Sequence, residues 1–524
     1  MAMKHIVALA CLAAALPVAA SSDGLSAVIG EGPSGSDNGQ RLACTGPRAA
    51  PAAVLCVRAG APAGGSGTAA APYATVMAAI AAAKAGDVVQ VAAGTYRENV
   101  ALGAHGAPTS RNLTLLGGFN ADFAQRNAAT QRAIIDGGGL APAVQLHVQG
   151  NATTTLDGFT LTNGVGLGST FADGGGHGGG VYASLAGAGT IVISHNEVHG
   201  NRTRSHTTID SRGGGIHADT GASTGAGTIR IEDNLVRDNL AGKGAGINVR
   251  GRQATLLRNF IRGNVSHNDH GGGVYLSADS VLVRGNEIRA NVVGATVGYG
   301  WGGGLIVAAG GATLERNLVV DNGAPTAGAG VFWDEGATGT MRNDLLVRNR
   351  CPTGSRSAAA LYLDGGPGGP SSVTMENATI ADHVCPGTPQ GAAVVVEAGS
   401  VLTVRNAILW GNTREFATLA GGSFSVAYSI SAQPGTGNRN SNPLFVNAAA
   451  GDYHVRSVGG HYSAAGWVAD AVSSPAIDAG DPASPPAMEP LYNGGRVNLG
   501  AFGNTAEASR SFDPVHHVLF DSFE

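Results

Sequence analysis

Aromatic residues make up only 5% of this 524-residue chain and charged residues only 13%. With so few charges there is no basic face interleaved with rings, which excludes a nucleic-acid partner. The small net charge of −5 gives no attraction to anionic membranes. Past the first twenty residues no apolar run is long enough to cross a bilayer, so no transmembrane segment is expected. The five cysteines include no short pair beside histidines, which argues against a zinc site, and no glycine-rich stretch carries the lysine of a nucleotide-binding loop. Calcium-binding repeats and dense aspartate clusters are also missing, so neither a metal nor any other cofactor is expected.

Glycine is abundant, with 83 residues, and much of it falls in a recurring unit. Small-residue triplets begin at Gly178, Gly213, Gly244, Gly271, Gly302, Gly328, Ala358 and Gly391, roughly 26 to 35 residues apart. Each is followed by a short apolar strand, a second strand, an asparagine and a third strand. The asparagines are Asn196, Asn234, Asn259, Asn286, Asn317, Asn343, Asn377 and Asn406. Two residues after them come Val198, Val236, Ile261, Ile288, Val319, Leu345, Thr379 and Ile408, while the residue between is often charged, as at Glu197 and Glu287. Alternation with period two marks a strand with one face inward. Strands recurring in one direction at this spacing stack about 4.8 Å apart as parallel sheets, with no room for helical connections. The pattern predicts an all-β parallel β-helix solenoid with three strands per coil. The asparagines, with a second row at Asn201, Asn239, Asn264, Asn291, Asn322, Asn349 and Asn412, are expected to be turn residues bonding from coil to coil.

The ends divide the chain further. Lys4, the apolar stretch from Ile6 to Leu16 and the small residues Val18-Ala19-Ala20 read as a secretory signal peptide over residues 1–20, which implies a secreted protein, extracellular or on the outer surface. A low-complexity segment follows over 21–50, then an N-terminal cap and first coils over 51–165, the repeats over 166–412, C-terminal coils and cap over 413–510, and a tail over 511–524. A short capping helix is expected at 78–84. Cys11 leaves with the signal; Cys351 and Cys385 occupy the same loop of consecutive coils and should form a disulfide, which leaves Cys44 to pair with Cys56.

Pro72-Tyr73-Ala74-Thr75 through Ala93-Gly94-Thr95-Tyr96-Arg97-Glu98 resembles the entry segment of secreted right-handed parallel β-helix proteins, the group that contains pectate-lyase-like proteins. Asn442-Pro443-Leu444-Phe445, Ser474-Pro475-Ala476-Ile477-Asp478 and Asn493-Gly494-Gly495-Arg496 resemble the closing region of bacterial β-helix proteins associated with surface anchoring. Asp521-Ser522-Phe523-Glu524 is similar to a terminal Asp-Gly-Phe-Glu signature of exported proteins, with Ser522 in place of the glycine. The resemblance implies a right-handed solenoid and export. It does not assign a reaction, because one scaffold hosts unrelated functions.

If the first apolar residue after each triplet points inward, the next row, Tyr182, His217, Asn248, Tyr275, Ile306, Phe332, Tyr362 and Val395, points outward. Rings and hydrogen-bonding groups at coil spacing suit an extended polysaccharide or cell-surface glycan, with Tyr182, Asn248, Phe332 and Tyr362 as binding residues. Within that strip, His217, Asp219, Arg250 and Tyr275 form the candidate catalytic group. Arg250 would neutralise a substrate carboxylate, His217 or Tyr275 would move a proton, and Asp219 would orient a partner. His206, Asp210, Arg212, His267, Asp269 and His270 are expected on one rim beside them, and Asp334, Asp364 and Glu397 offer a carboxylate set for hydrolysis. Three function classes follow for a monomer: a polysaccharide-binding β-helix, a lyase or hydrolase acting on a uronic-acid polymer, and a non-catalytic adhesin or structural solenoid.

Overall fold

A computed structural model describes residues 52–511, apart from 105, 167–175, 206–210, 224–225, 268–269, 295–299, 352–356, 386–390 and 492. Nearly every described element is a strand, and the strands stack as parallel ladders. The third strand of each coil forms an eleven-stranded sheet from Gly94–Arg97 to Ile408–Trp410. Its first three rungs, Gly94–Arg97, Ala133–Asp136 and Phe159–Thr162, precede the glycine triplets. First and second strands share one larger sheet, because in three coils they run on as single eleven-residue strands such as Val274–Arg284.

The expected interior row is present: Val198, Val236, Ile261 and Ile288 lie in register on successive rungs, fully buried. The row beyond Val319 needs correction. Leu345, Thr379 and Ile408 continue the outward-facing row of Leu318, and Leu346, Ile380 and Leu409 point inward. Asn343, Asn377 and Asn406 have φ of 56°, 48° and 55°, so they occupy the left-handed corner held elsewhere by His195, Asp233, Arg258 and Arg316. Asparagine tolerates that conformation well, and the ladder position beside it passes to Asp344, Ala378 and Ala407.

Elsewhere the asparagines bond as expected. Asn234 Oδ1 accepts from the backbone N–H of Asn196 at 3.0 Å and from its side-chain amide at 3.1 Å, while Asn234 Nδ2 donates to the Ile193 carbonyl at 2.8 Å. The pattern repeats through Asn259, Asn286 and Asn317, and in the second row from Asn201 to Asn349. Each buried amide is thereby satisfied at no cost to the strand ladders.

The capping helix spans Val76–Ala82, two residues earlier than expected, because Thr75 caps it by accepting from Ala78 N and Glu98 accepts from Val76 N and Met77 N. Val76, Ala79 and Ile80 close the open end of the core. Cys351 and Cys385 are joined by a disulfide, with Cα atoms 5.1 Å apart. Cys56 is buried in the first strand; its expected partner, Cys44, lies outside the described residues, as do the signal segment and the terminal tail.

At the C-terminus, residues 442–511 also fold back along the outer face of the third sheet. Tyr453, Ala501, Phe445 and Phe502 cover Leu318, Val320, Leu345, Val347 and Ala381. Asn343 and Asn377 tie this arm down by donating to the carbonyls of Ala501, Gly503 and Asn498.

Candidate functional site

The strand after each triplet holds the expected strip residues in register: His217 beside Asn248, Asp219 beside Arg250, Asn248 beside Tyr275, and Phe332 beside Tyr362. Their exposure differs from the expectation. Tyr182, His217, Asn248, Tyr275, Phe332 and Tyr362 are all buried, His217, Asn248 and Tyr362 completely. The cause, for the six triplets that begin at Gly178, Gly213, Gly244, Gly271, Gly302 and Gly328, is a first glycine at positive φ. Gly213 has φ 66°, and a Cβ there would stand 2.5 Å from the Ile216 carbonyl, so the chain reverses tightly and lays the preceding residue back over the strip. His177 stacks on His217 at 4.9 Å, Arg212 and Lys243 sit over the Tyr275 ring, and His270, Trp301, Phe332 and Tyr362 form one column with centroids 4.3, 5.3 and 5.0 Å apart.

Burial pushes His217 well below the usual histidine range, with His177 and Arg212 adding to the effect, so it is neutral and sealed from substrate. Asp219 is half-buried, accepts from Gly221 N at 2.8 Å and stands 3.6 Å from the half-exposed Arg250. Asp334, Asp364 and Glu397 follow the strip at its far end; burial raises Asp334 to about 6, and Glu397 accepts the Tyr362 hydroxyl. Among the expected rim residues, His206, Asp210 and Asp269 lie outside the described residues. The strip is thus a second packed layer, and its rings contribute about 0.5–1.5 kcal/mol per stacked pair beyond burial.

An open surface lies on another side of the coil, at the corner between second and third strands. A trough of about 660 Å³ opens between residues 126–132 and the corner, with His195, Glu197, Asp233, Leu235, Arg258 and the half-buried ring of Phe260 along it. Two further cavities adjoin it in turn: one of about 230 Å³ that shares Arg258 and is walled by Ala501, Phe502 and Glu507 of the C-terminal arm, and one of about 710 Å³ that shares Arg284 and Arg316 with the second and lies against Ala483, Pro485 and Met488 of the arm. From the Asp157 rung to the Arg405 rung the trough spans roughly 40 Å at sheet spacing. Arg284, Glu315, Arg342, Glu376 and Arg405 end successive second strands, so charge alternates rung by rung, with Arg284 and Glu315 paired at 2.6 Å. In all, seven arginines and six carboxylates line it, and Arg405 is further paired with Asp481 at 3.0 Å, so the charges of the lining are close to balanced.

The trough also holds a group that the sequence reading missed. Asp157 Oδ2 accepts from Ser194 Oγ at 2.6 Å and from His195 Nδ1 at 2.7 Å, and Arg126 pairs with Oδ1. Burial alone would raise the Asp157 carboxyl; the bonds from His195, Arg126 and Ser194 outweigh it and hold the group ionised. In return the carboxylate raises His195 above the usual histidine range. His195 has φ 52° and a side chain 44% exposed, so its ring stands at the corner with Nδ1 tied inward. Neighbouring charges are paired: Glu197 with Arg132 at 2.9 Å and Arg237 at 2.6 Å, and Asp233 with Arg258 at 2.7 Å.

Comparison with known proteins bears on the scaffold. The model of the right-handed beta helix region matches residues 203–431. The chain is a right-handed parallel β-helix. The disaggregatase-related model matches residues 416–480 of this β-helix protein, where the coils give way to the C-terminal arm. Among solved structures, pectate lyase Pel9A is similar at 14% identity and a TM-score of 0.45, over 86% of this chain and 96% of that one. The complex of XylC with xylose is similar at 11% identity and a TM-score of 0.43, over 75% and 87%. No curated protein matches the β-helix chain. Among the described residues no helix is long and apolar enough to cross a membrane.

Proposed function

We propose that this β-helix acts outside the cytoplasm and binds an extended acidic polysaccharide in the corner trough. The observation that carries the reading is the trough's form: adjoining cavities strung over roughly 40 Å at sheet spacing, open beside residues 126–132 and roofed by the C-terminal arm beyond, with charged groups on successive rungs. A linear polymer can repeat its contacts along such a channel, whereas a compact ligand would occupy one stretch of it. Six of the seven arginines are held by the protein's own carboxylates, and a sugar carboxylate that displaces such a partner meets the same guanidinium fork. Phe260 supplies a ring face in the floor, with Arg262 lying over it at 5.3 Å. The Cys351–Cys385 bridge fits an oxidising compartment, in keeping with the export signal read at residues 1–20.

The test is calorimetric titration of the purified protein with acidic and neutral soluble polysaccharides. Saturable binding to an acidic polymer, tightening with chain length and weakening with salt, is expected. Absence of binding to every polymer by folded protein refutes the reading.

A further inference from the structure

The Asp157–His195 pair is more than a latch for the corner. We propose that His195, oriented by Asp157, is the general base of an esterase activity that hydrolyses carboxylic ester substituents on a glycan lying in the trough. This rests on the glycan reading for its natural substrate, though the chemistry of the pair can be tested without it.

Three features of the geometry lead here. Asp157 is a buried carboxylate accepting from three side chains, so its charge and position are fixed before any ligand arrives. His195 gives its Nδ1 to that carboxylate at 2.7 Å, which leaves Nε2 as the nitrogen that exchanges a proton on the half-exposed side of the ring. Finally, the other carboxylates of this stretch are committed to arginines, Glu197 to Arg132 and Arg237 and Asp233 to Arg258, and Arg237 and Arg132 hold Glu197 low against the effect of its burial. Cleaving a glycosidic bond needs a protonated carboxyl as acid beside a second carboxylate, and no group in this stretch is poised for that. A single orienting carboxylate with a histidine is sufficient to activate water toward an ester. Ser194 is not the nucleophile, because its hydroxyl is buried and donates to Asp157.

In the reaction, His195 Nε2 takes a proton from water as the water oxygen bonds to the ester carbonyl carbon. Arg132 and Arg258, on the wall of this stretch and paired with Glu197 and Asp233, would supply positive charge beside the oxyanion that results. Collapse breaks the bond from the acyl carbon to the sugar oxygen, and the proton on Nε2 passes to that oxygen. The products are a carboxylic acid and a free hydroxyl. Asp157 is a positioning residue, acting through the tautomer and basicity of His195. The charged groups around His195 are Asp157, Arg126, Asp233, Glu197, Arg132 and Arg258.

The experiment follows acetate release from O-acetylated polygalacturonate and hydrolysis of p-nitrophenyl acetate between pH 5 and 9, with binding of the unacetylated polymer measured in parallel. His195→Asn suits this corner, since asparagines occupy it at Asn343, Asn377 and Asn406. It should keep the wild-type circular-dichroism spectrum and lower kcat about 100-fold or more on both esters. Asp157→Asn should lower kcat and move the rising limb of the pH profile to lower pH, because the histidine loses the carboxylate that raises its proton affinity; a latch alone would move no pH profile. Wild-type protein that binds polymer but releases no acid from either ester overturns the proposal and leaves the binding reading standing, as does hydrolysis unchanged by His195→Asn. Hydrolysis through His195 without polymer binding upholds the pair and sinks the glycan reading. An unsaturated product absorbing in the ultraviolet, in place of acetate, also overturns the ester assignment.

Discussion

Replacing Asp344 with asparagine should stabilise the protein at neutral pH. Asp344 takes the place of an asparagine in the first ladder: its Oδ1 accepts from Asn317 N at 2.9 Å and from Asn317 Nδ2 at 2.8 Å, as an amide oxygen would. The other ladder amides also donate, as Asn317 Nδ2 does to the Val283 carbonyl at 2.9 Å. Asp344 Oδ2 is buried without a hydrogen-bond partner and can donate only when protonated. Burial raises its pKa from 3.8 to about 7. Below 3.8 the carboxyl is protonated in both folded and unfolded chains and contributes no pH dependence. Between 3.8 and about 7 the unfolded chain loses the proton while the folded chain keeps it, so stability falls as pH rises and levels off above 7. A gap of about three units corresponds to roughly 4 kcal/mol as an upper figure. Asp344→Asn keeps the acceptor, adds the donor and removes the titration. Urea unfolding followed by circular dichroism from pH 4 to 8 should show the variant ahead by a few kcal/mol at pH 8, with the two proteins converging near pH 4. Equal pH dependence in both, or a variant less stable at pH 8, would refute the reasoning.

Ile261→Asp buries an unpaired charge in the interior row and should destabilise the fold by several kcal/mol or abolish it, read as loss of soluble, protease-resistant protein. Wild-type stability would contradict the packing described. Reducing the Cys351–Cys385 bridge opens a loop of 34 residues and should cost about 3–4 kcal/mol on the chain-entropy model. The check is the urea midpoint of Cys351→Ser with Cys385→Ser, and an unchanged midpoint counts against it.

Much of the fold was legible in the sequence because its rules are local. Period-two alternation located Val198, Val236, Ile261 and Ile288, and recurring asparagines marked the corners. The register slipped at Asn343, Asn377 and Asn406 because one residue type serves two adjacent positions, the left-handed corner and the ladder. The strip was placed correctly within the strand, but its burial depends on the reversal at Gly213 and its equivalents, which brings His177, Arg212 and Trp301 over it from outside the strand. A signal for the trough was available. Residues just before the ladder asparagines, His195, Asp233, Arg258 and Arg316, and those ending the second strands, from Arg284 to Arg405, carry charge at the coil period. Leu345 and Ile408 read as inward from their spacing after Asn343 and Asn406, so the apolar outer face that the C-terminal arm covers stayed hidden.

The most direct test of where this protein meets a glycan is one titration comparing two single variants on a polymer that the wild-type protein binds. Phe260→Ala removes the ring in the trough floor and should weaken binding by about 1 kcal/mol, roughly fivefold in Kd. Arg250→Ala removes a half-exposed side chain that lies beside Asp219 on the strand face after the triplets, outside the trough lining, and should leave affinity unchanged. Weakened binding in Arg250→Ala, with Phe260→Ala indistinguishable from wild type, would contradict the trough and return the site to the strand face after the glycine triplets.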